Sequence, residues 1–441
     1  MVKLPVVPRF VQRIWPAEPN APGGRKERQS FRYEAFVPDP LGRKQLTLPA
    51  QIAATVSTAE RQVDLLNRDP PAMASLEVLA RRLLRAESVA SSRIEGLVLS
   101  QRRLARAEAE GAETRDDTAR SVLGNVAAME EAVKLGGKKR PLKTRDILEI
   151  HRILMESMST SGIAGKLRAQ QNWIGGNAFN PGRADFVPPP PELVPDLMSD
   201  LCAFINRTDL SPVLQAAVAH AQFETIHPFA DGNGRVGRTL IHVVLRRGEL
   251  AVRYVPPVSL VLAADARRYV GGLTAFREER VAEWCSIFAE AVQAAAATAV
   301  ELAESLVQLQ QSWRTRAGMP RRHSSAEALI KLLPAYPIVT LATATQLLGR
   351  SKQAANEAIA ALARAEVLSP TTLARRNRAW EARELFELVN ATERELATPK
   401  RATARGRPLP ELPGATLRRI DARRSVSASA HRGHSCPARR R

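Results

Sequence analysis

The sequence predicts an all-α fold, and both its composition and its periodicity support this. Aromatic residues make up only 5% of the 441 residues, whereas alanine and leucine fill long stretches of the chain. Both are strong helix formers. From Leu48 onward apolar side chains recur at helical spacing, at Ile52, Val56, Val63 and Leu66. We therefore expect helices to form the core, in a chain long enough for two or three domains.

The first predicted domain, residues 1–110, is a helical region that follows an irregular start. Residues 1–45 are rich in Pro and Arg and contain one candidate for a strand and turn, at 31–41. After the helix that begins near Leu48, a second helix is expected from about Met73 to Ala90. This second helix runs directly into the sequence SSRIEGLVLS.

The stretch HAQFETIHPFADGNGRVGR combines residue types that suit the chemistry of phosphates. His227 is a natural proton acceptor near neutral pH, and Asp231 can hold Mg²⁺ through an oxygen. The amides of residues 232–234 open an apolar helix and could cradle an anion. Arg235 and Arg238, three residues apart, share a helix face and could pair with phosphate oxygens. The set predicts a phosphate site.

The same stretch resembles the active-site signature of the Fic family, HPFx(D/E)GNGRxxR, with every specified position filled from His227 to Arg238. The resemblance implies a Fic-type helical core, placed at 111–317, that transfers AMP from ATP to a Ser, Thr or Tyr hydroxyl of a protein. The alternative for these residues is an ordinary helix start with a buried histidine and solvated arginines.

The resemblance also assigns roles to single residues. His227 is implied as the catalytic base and Asp231 as the Mg²⁺ ligand. Asn233 and Arg235 would orient the α- and β-phosphates, and Arg238 would hold the γ-phosphate. The ATP-binding residues implied are Gly232, Asn233, Gly234, Arg235, Val236, Gly237, Arg238 and Tyr269. For Tyr269, a ring near the nucleotide base competes with ordinary packing as the explanation.

A second family pattern, (S/T)xxxE(G/N), is matched by Ser91, Glu95 and Gly96. Alone, such a string equally describes a helix end with a glycine stop. Upstream of a Fic signature it implies an inhibitory motif, in which Glu95 pairs with Arg238 and blocks the position of the γ-phosphate. A carboxylate and a phosphate compete for the same guanidinium group. We therefore expect an autoinhibited protein.

A β-hairpin is predicted between residues 164 and 201. Gln171 to Ile174 and Ala184 to Val187 are extended candidates around a turn rich in Gly, Asn and Pro. Four prolines at 188–191 end it before a helix at about Val194. In Fic proteins the matching segment is the flap, which pairs with a strand of the target; an ordinary surface hairpin is the alternative.

Three further histidines lie on largely apolar helical stretches. His151 is expected within a helix that starts at Thr144, and His220 and His242 flank the signature. We interpret all three as structural residues rather than catalytic ones.

After a Gly-Met-Pro break at 318–320, residues 321–387 resemble a winged helix-turn-helix domain. Three short helices are expected, at Ser325 to Leu333 and after the N-caps Thr340 and Ser351. Ser351, Lys352, Gln353 and Asn356 could enter a DNA major groove, and Arg375, Arg376 and Arg378 lie at the tip of a two-stranded wing. Winged helices also serve in dimerisation and protein docking, so these alternatives stay open.

The tail, 398–441, is predicted to be disordered. From Lys400 onward it holds twelve Lys and Arg but only two Asp and Glu, half of the formal net charge of +20. Its composition cannot bury enough apolar surface to order itself. It could contact nucleic acid non-specifically or remain a solvated extension.

Other classes are disfavoured. No run of 18 apolar residues and no signal-peptide core are present, so we expect a cytoplasmic protein without a membrane partner. Cys202, Cys285 and Cys436 are distant and odd in number, which argues against a disulfide framework or zinc site. A homodimer is compatible with the sequence.

Three functional alternatives stay open beside AMP transfer. A Fic-type scaffold can remove AMP or transfer another phosphate-containing group. The chain could instead be a DNA-binding regulator whose Fic core senses a nucleotide.

Overall fold

The computed structural model describes residues 9–21, 24–68, 76–156, 161–373 and 377–397. Helices dominate these residues, which confirms the predicted helical class. The predicted tail at 398–441 lies outside them, as do Arg375 and Arg376 of the predicted wing.

A two-stranded antiparallel sheet opens the described chain. Strand β1 (Arg9–Trp15) pairs with β2 (Phe31–Val37), with Phe10 opposite Phe36, and a short helix α1 (Arg25–Arg28) lies between them. The strand candidate at 31–41 is confirmed. The expectation of irregular structure before it was wrong at 9–15, because a distant strand supplies the backbone partners of β1.

Eleven α-helices follow in the described part of the chain, and the signature runs from the end of the seventh into the eighth. They are α2 (Ala50–Arg68), α3 (Leu76–Ile94), α4 (Gln101–Glu110), α5 (Asp117–Gly136), α6 (Thr144–Glu156), α7 (Val194–Ile205), α8 (Pro212–Ile226), α9 (Asn233–Arg247), α10 (Val258–Ala264), α11 (Ala266–Arg277) and α12 (Val281–Arg316). Helix α8 is buried from Val213 to Ile226, on every face. A helix that is buried on every face lies in the core of the fold, so α8 is the central helix.

A C-terminal unit follows α12. Its elements are α13 (Ser325–Leu332), β3 (Ile338–Thr340), α14 (Leu341–Leu348), α15 (Lys352–Arg364), β4 (Ser369–Leu373), β5 (Asn377–Glu381) and α16 (Arg383–Ala397). The three strands form an antiparallel sheet in the order β3-β5-β4. Thr340 and Ser351 cap α14 and α15 with their side chains, as predicted. Helix α16 continues ten residues beyond the boundary drawn at 387.

The C-terminal unit shares a hydrophobic core with the N-terminal helices. Leu79 and Leu83 of α3 and Trp313 of α12 belong to one buried cluster with Ile359 and Trp380 of the C-terminal unit. Helix α12 is long and apolar enough to cross a membrane, yet 56% of its most apolar window is buried within the fold. Core helices of soluble proteins meet the same criterion, so this is weak evidence for a span.

The predicted flap hairpin forms only in part. Ile174 and Phe186 make a single antiparallel bridge, and the full strands expected at 171–174 and 184–187 are absent from the described residues. Gly175 and Gly176 take positive φ values of 76° and 70°, which turns the backbone away from a second pair. The flap instead joins β2, where the Phe36 amide donates to the Val187 carbonyl at 2.9 Å.

Candidate active site

His227 occupies a strained position at the end of α8. It is the C-cap residue, with φ 49° and ψ 60°, and its amide donates to the Phe223 carbonyl at 2.9 Å. A residue with a side chain pays about 1–3 kcal/mol for such a left-handed conformation, and it persists only where neighbours hold it. This conformation leaves the imidazole within electrostatic reach of Arg168, Arg277 and Glu95.

Two amide-bearing side chains close that loop. Asn233 accepts from the Phe229 amide and donates to the Phe229 carbonyl, both at 2.8 Å. Asn172 of the flap donates to the same carbonyl at 3.0 Å. The side chain of Asn233 therefore braces the loop, and its role in orienting phosphates stays a prediction.

A buried arginine ties the flap to His227. Arg168 Nε donates to the carbonyl of His227 at 2.9 Å, and the Arg168 amide donates to the Pro228 carbonyl at 2.9 Å. Its guanidinium also reaches the carbonyls of Gln170 and Pro189, at the two ends of the flap. Burial lowers the pKa of Arg168 to about 10. This one cation sets the flap against His227.

His151 of α6 packs against the loop that follows His227. Its ring stacks on Phe229 at 3.8 Å between centroids. The Gly165 amide donates to Nδ1 at 3.0 Å, so the proton lies on Nε2, which donates to the Asp231 carbonyl at 3.1 Å. Burial lowers the pKa of His151 to about 4, which keeps the ring neutral. The interpretation of His151 as structural agrees with these contacts.

The loop ends in a helix start suited to an anion. Gly232 is the N-cap of α9, with φ 80°, and Asn233 begins the helix. The first amides of a helix lack intrahelical acceptors, and the helix dipole is positive there. Arg235 and Arg238 project from the same end, 3% and 1% exposed. Arg235 Nη1 donates to Ser121 of α5 at 3.0 Å.

Glu95 lies at this helix start because of the way α3 ends. The Leu97 amide donates to the Ser92 carbonyl and the Gly96 amide to the Arg93 carbonyl, a Schellman pair closed by Gly96 at φ 79°. Glu95 is thus the C-cap residue of α3. The predicted glycine stop is present at Gly96, and the turn it makes places Glu95 at the start of α9.

The carboxylate of Glu95 forms an ion pair with the guanidinium of Arg238. Arg238 Nη2 donates to Glu95 Oε1 at 2.8 Å and to the Ser91 carbonyl at 2.9 Å, and Arg238 Nε donates to Ser91 Oγ at 3.0 Å. A Cβ built on Gly234 would come within 2.0 Å of Glu95 Oε1. The carboxylate therefore lies against the backbone at the start of α9, where only glycine leaves room.

The pair is electrostatically coupled. Burial alone would raise the pKa of Glu95, but the Arg238 guanidinium overrides it and the pKa is lowered. Burial alone would lower the pKa of Arg238, but the Glu95 carboxylate overrides it and the pKa is raised. Both groups are held in their charged forms.

His227 is held neutral. Desolvation lowers its pKa to about 4, and the positive charges of Arg168 and Arg277 act in the same direction, while Glu95 opposes them. A neutral imidazole can accept a proton at physiological pH.

Two buried polar side chains, Tyr269 and Glu224, lie close to Arg238. The Tyr269 hydroxyl, on a residue only 4% exposed, lies 2.9 Å from His220 Nε2. Its predicted contact with a base stays a prediction. Glu224, one turn before His227, is 6% exposed, and its Oε1 has no partner among the described residues. Burial raises the pKa of Glu224 to about 7.

The structure brings most of the predicted residues together. His227, Asp231, the 232–238 segment and the 91–96 motif converge on one end of α9. Sequence reasoning missed Arg168 and Glu224 as neighbours of the site. Glu224 was visible three residues before His227, but nothing in the sequence showed that α8 is buried all round.

The fold and the site define a helical protein with a helix start suited to an anion, a neutral histidine in the loop before it and an internal carboxylate on its arginine. Comparison with protein families gives the finer class. Residues 141–245 match the model of the Fic/DOC family, and residues 53–134 match that of the Fic/DOC family N-terminal region. Over these two segments the chain is similar to the Fic/DOC family.

Curated relatives carry a consistent name. A protein adenylyltransferase fic-1 of Caenorhabditis briggsae is 32% identical over 127 residues, 28% of this chain and 22% of that protein. A protein adenylyltransferase Fic of Culex quinquefasciatus is 29% identical over 232 residues, 49% of this chain and 44% of that protein. The chain thus spans less than half the length of these relatives.

Solved structures of Fic proteins also match the chain. A Fic family protein from Desulfovibrio desulfuricans matches with a TM-score of 0.48 and 21% identity, over 76% of this chain and 97% of that one. Fic-1 from Caenorhabditis elegans matches with a TM-score of 0.45 and 23% identity, over 57% and 72%.

Proposed function

We propose that this protein is a protein adenylyltransferase that transfers AMP from ATP to a hydroxyl side chain of a protein and is autoinhibited by Glu95. The contact between Glu95 and Arg238, at 2.8 Å, carries the proposal. An arginine 1% exposed at a helix start, held by a carboxylate from another helix, is a built anion site. The names of the curated relatives support the chemistry.

The site can supply the parts that adenylyl transfer needs. The hydroxyl oxygen of the target attacks the α-phosphorus, the bond from that phosphorus to the oxygen bridging to the β-phosphate breaks, and pyrophosphate leaves. Neutral His227 accepts the proton of the hydroxyl. The amides at the start of α9, with Arg235 and Arg238, stabilise phosphate charge. Transfer of this kind depends mainly on positioning and charge stabilisation.

The residues present fit a magnesium ion shared with the substrate. Asp231 is exposed at the loop, and its Oδ1 accepts from the Gly232 amide at 2.6 Å, which fixes the carboxylate. Within the described part of the chain no three His, Cys, Asp or Glu side chains cluster as a complete metal site. Mg²⁺ usually takes one or two carboxylates and completes its shell with phosphate oxygens and water. Bound there, it would neutralise charge on the triphosphate.

The inhibition follows from competition for one guanidinium. A γ-phosphate placed on Arg238 needs the donors that Ser91 and Glu95 now accept from. It would also meet the negative charge of Glu95 at the start of α9. Glu95 must leave before the triphosphate can bind productively, so Ser91 and Glu95 act together as the inhibitory motif.

The flap suits a protein target. Val187 of the flap accepts one backbone hydrogen bond from Phe36 of β2, and Arg168 fixes both flap ends against His227. An extended segment of a target could pair with this backbone and place its hydroxyl beside the imidazole. Because such pairing recognises backbone, it leaves the choice of target open.

We also propose a winged-helix fold for the C-terminal unit. The order helix, strand, two helices and two strands, with a three-stranded antiparallel sheet, supports it. Binding of DNA by α15 stays a prediction.

A labelling experiment tests the proposed reaction. The Glu95→Gly protein, incubated with a cell lysate and ATP labelled on the α-phosphate, should yield labelled proteins. With ATP labelled on the γ-phosphate the same bands should stay unlabelled, because the γ-phosphate leaves with pyrophosphate. Transfer of the γ-label would identify a phosphotransferase instead, and absence of both labels would remove the proposal.

The pH dependence of labelling should reflect the lowered pKa of His227. An ordinary histidine, with a pKa near 6.5, would lose about tenfold in rate by pH 5.5. With a pKa of about 4, His227 stays neutral over this range, and removing Glu95 only lowers its pKa further. At saturating ATP we expect the rate of Glu95→Gly to change less than about threefold between pH 7.5 and 5.5.

The control for that profile is Glu224→Gln in the same background. Burial raises the pKa of Glu224 to about 7, and the substitution removes this titratable group. A tenfold acid loss that persists in the double variant would show that His227 has an ordinary pKa.

A further inference from the structure

The segment that carries Glu95 is bound at both ends by one carboxylate of the C-terminal unit. Glu393 of α16 accepts from Arg93 Nη2 at 2.6 Å through Oε2 and from Gln101 Nε2 at 3.1 Å through Oε1. Arg93 lies in the last turn of α3, two residues before Glu95, and Gln101 is the first residue of α4. The carboxylate thus spans the turn at 95–100.

A second ion pair fastens α4 one residue further on. Arg102 donates through Nε and Nη2 to both oxygens of Glu381, at 2.8 and 2.7 Å, and Glu381 is fully buried at the end of β5. Arg106 Nη2 also donates to the Thr372 carbonyl at 2.7 Å. A bidentate pair to a buried carboxylate is geometrically demanding, and its loss leaves a buried charge underpaired.

Apolar packing supports the same interface. Ala105 of α4 lies in one buried cluster with residues of the C-terminal sheet and of α16: Ile338, Leu373, Ala379 and Phe386. Arg81 of α3 lies over the ring of Tyr336 at 4.4 Å and donates to the Ala335 carbonyl. Helices α3 and α4 are therefore packed against the C-terminal unit as well as against the Fic core.

We propose that Glu393 is a positioning residue for the inhibitory Glu95, and that the C-terminal unit thereby sets how firmly Arg238 is blocked. The proposal rests on the proposed function. Glu393 acts through Arg93, which fixes the end of α3, and through Gln101, which fixes the far end of the turn. With both ends held, the carboxylate of Glu95 stays on the guanidinium of Arg238.

The test compares Glu393→Ala with Glu395→Ala, an exposed glutamate on the same helix. Glu393→Ala should raise labelling from α-labelled ATP about fivefold over the unmodified chain, as loss of a partly exposed ion pair would allow. Glu395→Ala should leave it unchanged. In the Glu95→Gly background Glu393→Ala should have no effect. Equal effects in both backgrounds, or no effect in either, would overturn the positioning role.

A second readout is independent of catalysis. Amide hydrogen exchange should increase at residues 95–101 in Glu393→Ala and in Arg93→Ala, which removes the same pair from its other side. Exchange in α9 should stay unchanged. Faster exchange in 95–101 without any labelling by Glu95→Gly would leave the positioning intact and refute the enzymatic function. Unchanged exchange in both variants would refute the positioning itself.

Discussion

Replacing Glu95 with glycine should raise transfer of AMP about 10- to 100-fold over the unmodified chain. The structure gives the reason: Glu95 Oε1 takes a donor of Arg238 at 2.8 Å, and a charged hydrogen bond contributes about 1.5–3 kcal/mol. Removing it frees the guanidinium for the γ-phosphate. The rate is measured with α-labelled ATP and a lysate, under conditions where label grows linearly with time.

Glu95→Gln separates charge from size. The amide keeps an oxygen for Arg238 but loses the negative charge, so we expect a rate between those of the unmodified chain and Glu95→Gly. Identical rates for all three proteins would show that Glu95 does not control the site.

His227→Ala, made in the Glu95→Gly background, should reduce labelling by about 10³-fold. The expectation follows from the usual contribution of a positioned general base, about 10²- to 10⁴-fold. The left-handed φ of this C-cap is unfavourable for any residue with a Cβ, so alanine and histidine both carry strain there. Binding of an ATP analogue that cannot react, followed in parallel, should stay within about twofold because the proposed phosphate site lies at the start of α9.

A His227→Ala protein that labels at the parental rate would contradict the assignment of the base. One that loses both labelling and analogue binding would indicate that the loop has collapsed. In that case His227→Asn, which keeps a polar side chain of similar reach, is the variant to compare.

Much of the fold was predictable because the signals are local. The caps Thr340 and Ser351 and the start of α6 at Thr144 follow from short patterns, and the structure has them. What the sequence missed depends on distant partners. Strand β1 exists only by pairing with β2, and the flap keeps one bridge because Gly175 and Gly176 turn the backbone.

The candidate site also has a part with local sequence signals and a part that depends on distant partners. The loop from His227 to Arg238 is contiguous, so its residue types indicate its chemistry directly. Arg168 and Glu393 act from 59 and 300 residues away along the chain from the groups they hold, His227 and Arg93. No pattern in a single sequence predicts such pairs. A cytoplasmic location, a homodimer and contacts of the tail with nucleic acid stay predictions.

The competition between Glu95 and the γ-phosphate is tested most directly by comparing nucleotide affinities. Dissociation constants for ATP and ADP are measured by calorimetry on the unmodified chain and on Glu95→Gly, with Mg²⁺ present. ADP lacks the phosphate that needs Arg238, so the substitution should tighten ATP binding about tenfold or more and ADP binding far less. Equal tightening of both nucleotides, or of neither, would contradict the account.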